Sequence, residues 1–461
     1  MRKLQKEGTI TNGFEGLIGI SRKDITPIDG IYTRNWGAGE SHYSKGVHRP
    51  LELVCLTLQS ASNDAPAIMI SADLGWWKTP DEEAFLRKSL ISHFKLKETN
   101  LMICLSHTHS GPSLSLADSP KKGGDLIQPY LDFLLQSCIE AIDMALKSRF
   151  QGVLDWHYGN CGLANNRDLY EEKSNRYLVG FNPYERGDET LLVGRIRDKK
   201  EKIKLVLINY ACHPTTLAWE NHLISPDFVG SLRELVKGEI GGEVMFLQGA
   251  SGDLAPAIQY VGDLETADAY GRQLGYAVLS ILQESFDGRS IRVMQKVVES
   301  GASLAIWTNK EVDISTTLVS HRIYVELPVK DLPSINELES LWYDAKDSVV
   351  KERLWRKIGL RKIIGEGPSY RLPVWIWKIG NAFIVGQCTE AYSFFQKELR
   401  KMFYPIPVAV INIVNGYIGY LPTANLYNSD AYAVWQTPFE KGSLETLESE
   451  VATAIKKLNT N

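Results

Sequence analysis

Short apolar runs alternate with stretches of helical periodicity along this chain, and that alternation predicts a mixed α/β fold. Residues 51–59 and 67–72 are apolar runs separated by Ser62-Asn63-Asp64, a turn-forming cluster, and predict an antiparallel pair. Residues 82–94 repeat apolar positions at helical spacing, and 101–105 read as a short buried strand. A long amphipathic helix is predicted over 130–146, a strand pair around a charged turn over 191–196 and 203–210, a further strand at 244–247, and a helix near 267–282. Residues 374–379 and 382–385 flank Gly380-Asn381, the two-residue signal that right-twisted hairpins require. A buried strand is read at 407–414. The terminal helix, about 444–458, carries Glu445, Glu448 and Glu450 early and Lys456 and Lys457 late, matching the helix dipole. From 300 to 367 the character changes: a long charged helical segment, 335–358, sits among β-like pieces such as 322–327. The expected organisation is therefore 1–299, a peripheral or inserted subregion over 300–367, and 368–461.

Composition narrows the class. At 461 residues with 44% hydrophobic and 23% charged positions, the chain reads as a globular protein with a large core. Lys and Arg total 51 against 55 Asp and Glu, a net charge of −4, which argues against nucleic-acid binding by bulk charge. No apolar run approaches the ~18 residues of a membrane span, so stable membrane insertion is not expected. The N-terminal residues lack an apolar segment behind their basic ones, so a cytoplasmic location is expected unless a leader was trimmed. The 6 cysteines show no CxxC pair and suggest small buried hydrophobes, not a disulfide framework. A homo-oligomer stays open.

Three polar clusters follow apolar strands, where α/β proteins place their sites. The first is Ser106-His107-Thr108-His109-Ser110-Gly111-Pro112. Extended alternation would put His107 and His109 on one side, with Gly111 and Pro112 ending regular structure. A bare His-x-His fits a metal ligand with a partner, or two ordinary surface histidines, equally well. The second is His213-Pro214-Thr215, where Pro214 biases His213 toward an extended backbone. The third, Gln248-Gly249-Ala250-Ser251-Gly252-Asp253, allows close backbone approach. Ser251 as a nucleophile lacks a Gly-x-Ser-x-Gly elbow, and Asp253 could orient a histidine or hold a tight turn.

Together these motifs resemble the neutral ceramidase family of zinc-dependent amide hydrolases. The family's Gly-x-His looks like Gly46-Val47-His48, and its acidic strand end like Ser71-Ala72-Asp73. Its Ser/Thr-His-Thr-His-Ser-Gly-Pro signature stands at 106–112, and its Asn-Arg segment at Asn166-Arg167. His-Pro-Thr stands at 213–215, its glutamate segment at Gly386-Gln387-Cys388-Thr389-Glu390, and its Tyr-x-x-Tyr stretch at Tyr417 to Tyr420. The resemblance spans about 16 to the terminal helix. It implies a domain of mixed β-sheets flanked by helices, without the family's C-terminal β-sandwich. It also implies Zn2+ held by His107, His213, Glu390 and Tyr420. Two imidazoles, a carboxylate and a phenol oxygen suit zinc and leave room for water. His109, Arg167 and Tyr432 are implied as donors to the oxyanion and the leaving nitrogen, and His48, Asp73, Ser251 and Asp253 as substrate-side residues.

One departure bears on specificity: where the family has Gly-Asp-x-Ser-Pro-Asn, this chain has Ala255 and Ala257 in place of the serine and asparagine. The expected activity is hydrolysis of an amide or ester in a small N-acylated substrate other than ceramide. Two other readings stay open. One is a metal-dependent binding or regulatory protein on the same scaffold; the other is lactone or glycosidic-bond chemistry in the same pocket. Trp76, Trp77, Trp219 and residues 375–377 offer indoles for an acyl or sugar pocket, although core packing accounts for tryptophans equally well.

Overall fold

The computed structural model describes residues 13–33, 35–39, 42–60, 65–283 and 288–460. An eight-stranded sheet is built from Phe14–Asp24 (β1), Glu52–Gln59 (β2), Ala67–Ala72 (β3), Leu101–Leu105 (β4), Phe150–Asn160 (β5), Thr190–Asp198 (β6), Ile203–Tyr210 (β7) and Glu243–Gln248 (β8). Its order is β8-β7-β6-β5-β1-β2-β3-β4. A four-stranded sheet follows in chain order: Leu318–Pro328 (β9), Ser369–Ile379 (β10), Ala382–Gln387 (β11) and Val408–Ile411 (β12). The helices are Pro80–Phe94 (α1), Ile127–Lys147 (α2), Phe228–Ile240 (α3), Leu264–Leu282 (α4), Ile335–Asp344 (α5), Ser348–Ile364 (α6), Ser393–Phe403 (α7), Tyr432–Gln436 (α8) and Ser443–Thr460 (α9).

The two sheets pack face to face, and the period-2 pattern of each strand shows why. In β10, Trp375, Trp377 and Ile379 enter the core between the sheets, while Leu372, Val374 and Ile376 face a second core shared with α7 and α9. In β2, Val54, Leu56 and Leu58 point inward, and Leu53 and Cys55 lie under α1 and α2. In β7, Leu205 and Leu207 join the inter-sheet core, and Val206 and Ile208 lie under α3 and α4. The result is a four-layer αββα arrangement whose central strands are apolar on both faces because both are covered. Trp375 and Trp377 thus belong to the inter-sheet core, their indole N–H groups donating to the carbonyls of Glu98 and Thr99.

The strands pair antiparallel except β3–β4, β7–β8 and β11–β12, which are parallel and joined through α1, α3 and α7. Parallel pairing needs such a crossover, and it leaves the chain emerging from both strands at the same end. The loops after β4, β7, β8, β11 and β12 consequently meet. Asn412 donates its amide to the Gln248 carbonyl, Gly249 to Tyr210, Gly252 to Ala391 and Asn415 to Ile103.

The predicted hairpin at Gly380 is present; its φ is +60°, and a side chain there would collide with the Gly13 carbonyl. The predicted pair 51–59 with 67–72 forms as β2–β3, while Ser62, Asn63 and Asp64 lie outside the described residues. The single helix predicted over 335–358 is corrected: it is two helices, α5 and α6, broken at Ala345 (ψ 130°), with the Asp347 carboxylate capping the amides of Val349 and Val350. The strand predicted over 407–414 ends at Ile411, because Ile413 turns to φ 57°. All 6 cysteines are buried and free. Among the described residues, no helix is long and apolar enough to cross a membrane.

One buried charge cluster ties β5 to β6. Asp155, fully buried, accepts from His157 at 2.8 Å, Arg195 at 3.1 Å and Arg197 at 2.8 Å. Burial alone would raise its pKa, but His157 and Arg195 outweigh it and hold the carboxyl below its ordinary range. A lowered folded pKa gives stability that is complete above the unfolded value, ~3.9, and is lost as pH falls through the folded one. Asp155→Asn should remove the carboxylate that Arg195 and Arg197 share, leaving Arg197 its pair with Glu201, and cost about 3 kcal/mol in urea unfolding at neutral pH. A loss below about 0.5 kcal/mol would contradict this account of the cluster.

Candidate functional site

The meeting loops bring His107, His213 and Glu390 together. His213 sits just beyond β7, its amide bonded to the Leu254 carbonyl, and its Nδ1 lies 2.7 Å from the Ser251 carbonyl and 3.1 Å from that of Leu254. His107, beyond β4, places its Nδ1 3.1 Å from the Gly75 carbonyl. A carbonyl only accepts, so both Nδ1 atoms carry a proton and each Nε2 is turned to the other side. Both Nε2 atoms approach one carboxylate oxygen: Glu390 Oε2 is 2.8 Å from His213 Nε2 and 3.3 Å from His107 Nε2. The other oxygen of Glu390 accepts from the Tyr417 hydroxyl at 2.7 Å.

Burial lowers the His213 pKa to about 4, with the Arg167 charge adding to it, so the ring is neutral near pH 7. Burial would raise the Glu390 pKa, but His107 and His213 outweigh it and hold it well below the usual carboxylate range. Two imidazoles and a carboxylate converging in a buried site make a donor set that suits a metal ion. His107 Nε2 and both ring nitrogens of His109 are buried without hydrogen-bond partners. Histidines that hold a metal through one nitrogen characteristically donate the other N–H to a carbonyl, as His107 and His213 do. One nitrogen from each of His107, His109 and His213 lies within 4.8 Å of the others, so this buried histidine cluster is compatible with a metal ion.

His107 and His109 do converge, with ring centroids 4.9 Å apart, but the route differs from the expected extended alternation. His107 has φ 69°, a left-handed backbone that turns its ring toward Glu390 at the strand end. His109 stands between Trp36 and Trp76, each ring centroid 4.9 Å away. Burial, then the neighbouring His107 and His213, hold its pKa well below the ordinary value.

Glu390 and Tyr420 are paired across a short parallel bridge, which sets the phenol beside the carboxylate. Tyr420 stacks on His213 with centroids 6.5 Å apart, and its hydroxyl accepts from Arg167 at 2.9 Å. Arg167 also donates to the Gly252 carbonyl. Gly252 is required where it is, since a Cβ would press within 2.6 Å of the Glu390 carbonyl. The small residues of this loop therefore let it approach the Glu390 strand. Tyr432 lies edge-on to Tyr420, centroids 5.5 Å apart, and its hydroxyl accepts from Gln436 at 2.9 Å. Arg167, Tyr420 and Tyr432, together with His109, line a cavity of about 500 Å³ walled by Trp36, Trp219, Tyr260 and Trp435. The cavity is of a size and apolarity suited to a small organic ligand.

The remaining expected residues are placed elsewhere. His48 Nδ1 is 3.0 Å from the Ser225 hydroxyl, and its Nε2 is 3.4 Å from Asp268. Asp73 is paired with Arg233 at 2.8 Å and accepts from the Glu52 amide. Asp253 accepts from the amide and hydroxyl of Ser393 and so fixes the start of α7. Ser251 contributes its carbonyl to His213, while its hydroxyl accepts from Gln248. None of these four lines the cavity. Neither does Ala255, which is paired with Asn165, nor Ala257, which is exposed. Sequence reasoning preferred Tyr420 within its motif and did not single out Tyr417, the residue bonded to Glu390. Trp36, packed on His109, carried no motif, and only its spatial neighbours reveal it.

Similar folds exist among solved structures. A ceramidase complexed with C2 superposes with a TM-score of 0.69 at 15% identity, covering 96% of this chain and 76% of that one. The neutral ceramidase from Pseudomonas aeruginosa superposes with a TM-score of 0.69 at 17% identity, covering 96% and 75%. No family model matches the chain, and no curated protein matches it by sequence. The resemblance read from separated motifs is thus matched in three dimensions over nearly the whole chain.

If the cluster holds a metal, a divalent ion such as Zn2+ added to chelator-treated protein at a hundredfold excess over its Kd should stabilise the fold by about 2.7 kcal/mol in thermal unfolding. His107→Ala and His213→Ala should each remove most of that gain. Asp73→Asn should lower the starting stability and leave the gain in place. One ion still retained per chain by the double histidine variant, measured by elemental analysis, would refute the centre.

Proposed function

We propose that this chain, which has the fold of the neutral ceramidases, is a zinc-dependent hydrolase cleaving an amide or ester bond in a small N-acylated substrate. The observation that carries the reading is the convergence of two imidazole nitrogens and a buried carboxylate beside an aromatic-walled cavity. His107, His213, Glu390 and Tyr420 would hold the ion. Bound zinc supplies a nucleophilic water at neutral pH and polarises an acyl carbonyl.

The chain's own groups account for the remaining steps. Arg167, bonded to the Tyr420 hydroxyl, keeps that phenol in place and brings a fixed positive charge to the cavity wall, where a developing oxyanion is stabilised. The Tyr432 hydroxyl, accepting from Gln436, retains its own proton for donation to the same oxygen. His109, neutral and with both nitrogens unpartnered, can hold a proton and deliver it to the leaving nitrogen. The indole and phenol walls bury an acyl chain and exclude water. Ala255 and Ala257 depart from the family's pattern away from this cavity, so the substrate is read from the cavity wall itself.

Hydrolysis of a panel of N-acyl amides and esters tests this. Tyr432→Phe should lower kcat by about 10²-fold, the usual effect of removing one oxyanion donor, with KM little changed. His107→Ala should abolish turnover together with bound metal. Undiminished hydrolysis in both variants would sink the proposal.

A further inference from the structure

The cavity is strongly biased toward positive charge. Among the described residues its wall contains Arg167, Arg353 and Arg356 against one carboxylate, Glu352. Arg356 donates to Glu352 at 3.0 Å, so that pair offsets itself. Arg167 is buried at the inner end with Tyr420, whereas Arg353 and Val349, on α6, are exposed at the outer end. The uncompensated charge of the outer end is thus that of Arg353.

Arg353 does not stand alone. Its guanidinium lies 5.4 Å from the Trp435 ring, and Lys357, one helical turn further along α6, places its ammonium 5.1 Å from the same ring. Neither makes an ion pair with a carboxylate among the described residues. Burial lowers the Lys357 pKa, and the Arg353 charge adds to it. Like charges at i and i+4 on a helix repel. Two cations held against one indole, Arg353 in the cavity wall and Lys357 one turn along the same helix, form an arrangement that an anion relieves, and charge of one sign lining a cleft concentrates ligands of the other sign.

We propose that the ligand of this cavity carries an anionic group, a carboxylate or a phosphate ester, seated at Arg353 and Lys357 beside Trp435, with its acyl bond toward His109 and Tyr420. This deepens the hydrolase reading, on which it rests for the acyl bond but not for the charge. Arg353 and Lys357 then determine which acyl compounds the cavity accepts.

The test compares N-octanoylglycine, phosphorylated N-octanoylethanolamine and neutral N-octanoylglycinamide on the full metal-loaded chain, measuring both turnover and calorimetric binding. At least one anionic compound should be favoured by about tenfold in kcat/KM, or in affinity where nothing is cleaved, the scale of one charge-assisted contact. Which of the two leads distinguishes carboxylate from phosphate. Arg353→Gln with Lys357→Gln, both near the surface, should bring the ratio to within about twofold. Arg353→Lys with native Lys357 should keep most of it, and the preference should shrink as salt rises. Equal use of charged and neutral compounds, a preference that survives the double substitution, or no binding of any probe would overturn the inference. Cleavage without charge preference would leave the hydrolase standing, whereas charge-selective binding without cleavage would remove the hydrolase and leave the anion site.

Discussion

The structure turns on a single contact, two imidazole Nε2 atoms directed at one buried carboxylate oxygen. Every neighbouring hydrogen bond serves to prevent those groups from turning away. The Nδ1 protons are committed to the carbonyls of Gly75, Ser251 and Leu254, and the second Glu390 oxygen is taken by Tyr417. Asp253 anchors the start of α7 immediately after Glu390, and Gly252 permits the loops to touch. Two imidazoles and a carboxylate are thus held facing one another, out of water, in a rigid frame.

That frame follows from topology. Each parallel strand pair demands a crossover helix, and each crossover returns the chain to the same end of its sheet. Because both sheets contain such pairs and are packed face to face, their loops share one space. Polar groups close the seam. Asn209 of β7 donates to the Val410 carbonyl and accepts from its amide, and Arg400 of α7 bonds the same Asn209 oxygen. The site is thus assembled from chain segments hundreds of residues apart, yet each lies within a few residues of a regular strand.

Much of this is legible in the amino-acid sequence. Strands covered on both faces must be nearly continuous apolar runs, which is why 101–105, 203–210 and 244–247 were visible, and Gly380-Asn381 marked its hairpin by the conformation it alone permits. The histidine motifs were readable because each follows such a run. What stayed hidden is set by three-dimensional partnership. Asp73 and His48 sit at strand ends like site residues, but they are held by Arg233 and by Asp268 and Ser225, partners no spacing rule connects to them. The left-handed turn at His107 is unusual for a non-glycine residue and cannot be foreseen from composition. Tyr417 and Tyr420 differ by one helical-length step in sequence, and only the bridge of Glu390 to Tyr420 decides which ring lies beside it and which hydroxyl bonds its carboxylate.

His107 and His213 hang from the eight-stranded sheet, whereas Glu390 hangs from the four-stranded one. Sliding one sheet over the other by a fraction of an ångström would therefore open or close the gap between ring nitrogens and carboxylate. The large indoles of Trp375 and Trp377, packed between the sheets, help set that spacing. The reach from histidine to glutamate is in this sense a mechanical property of the sandwich, a gauge of how tightly its two halves are clamped.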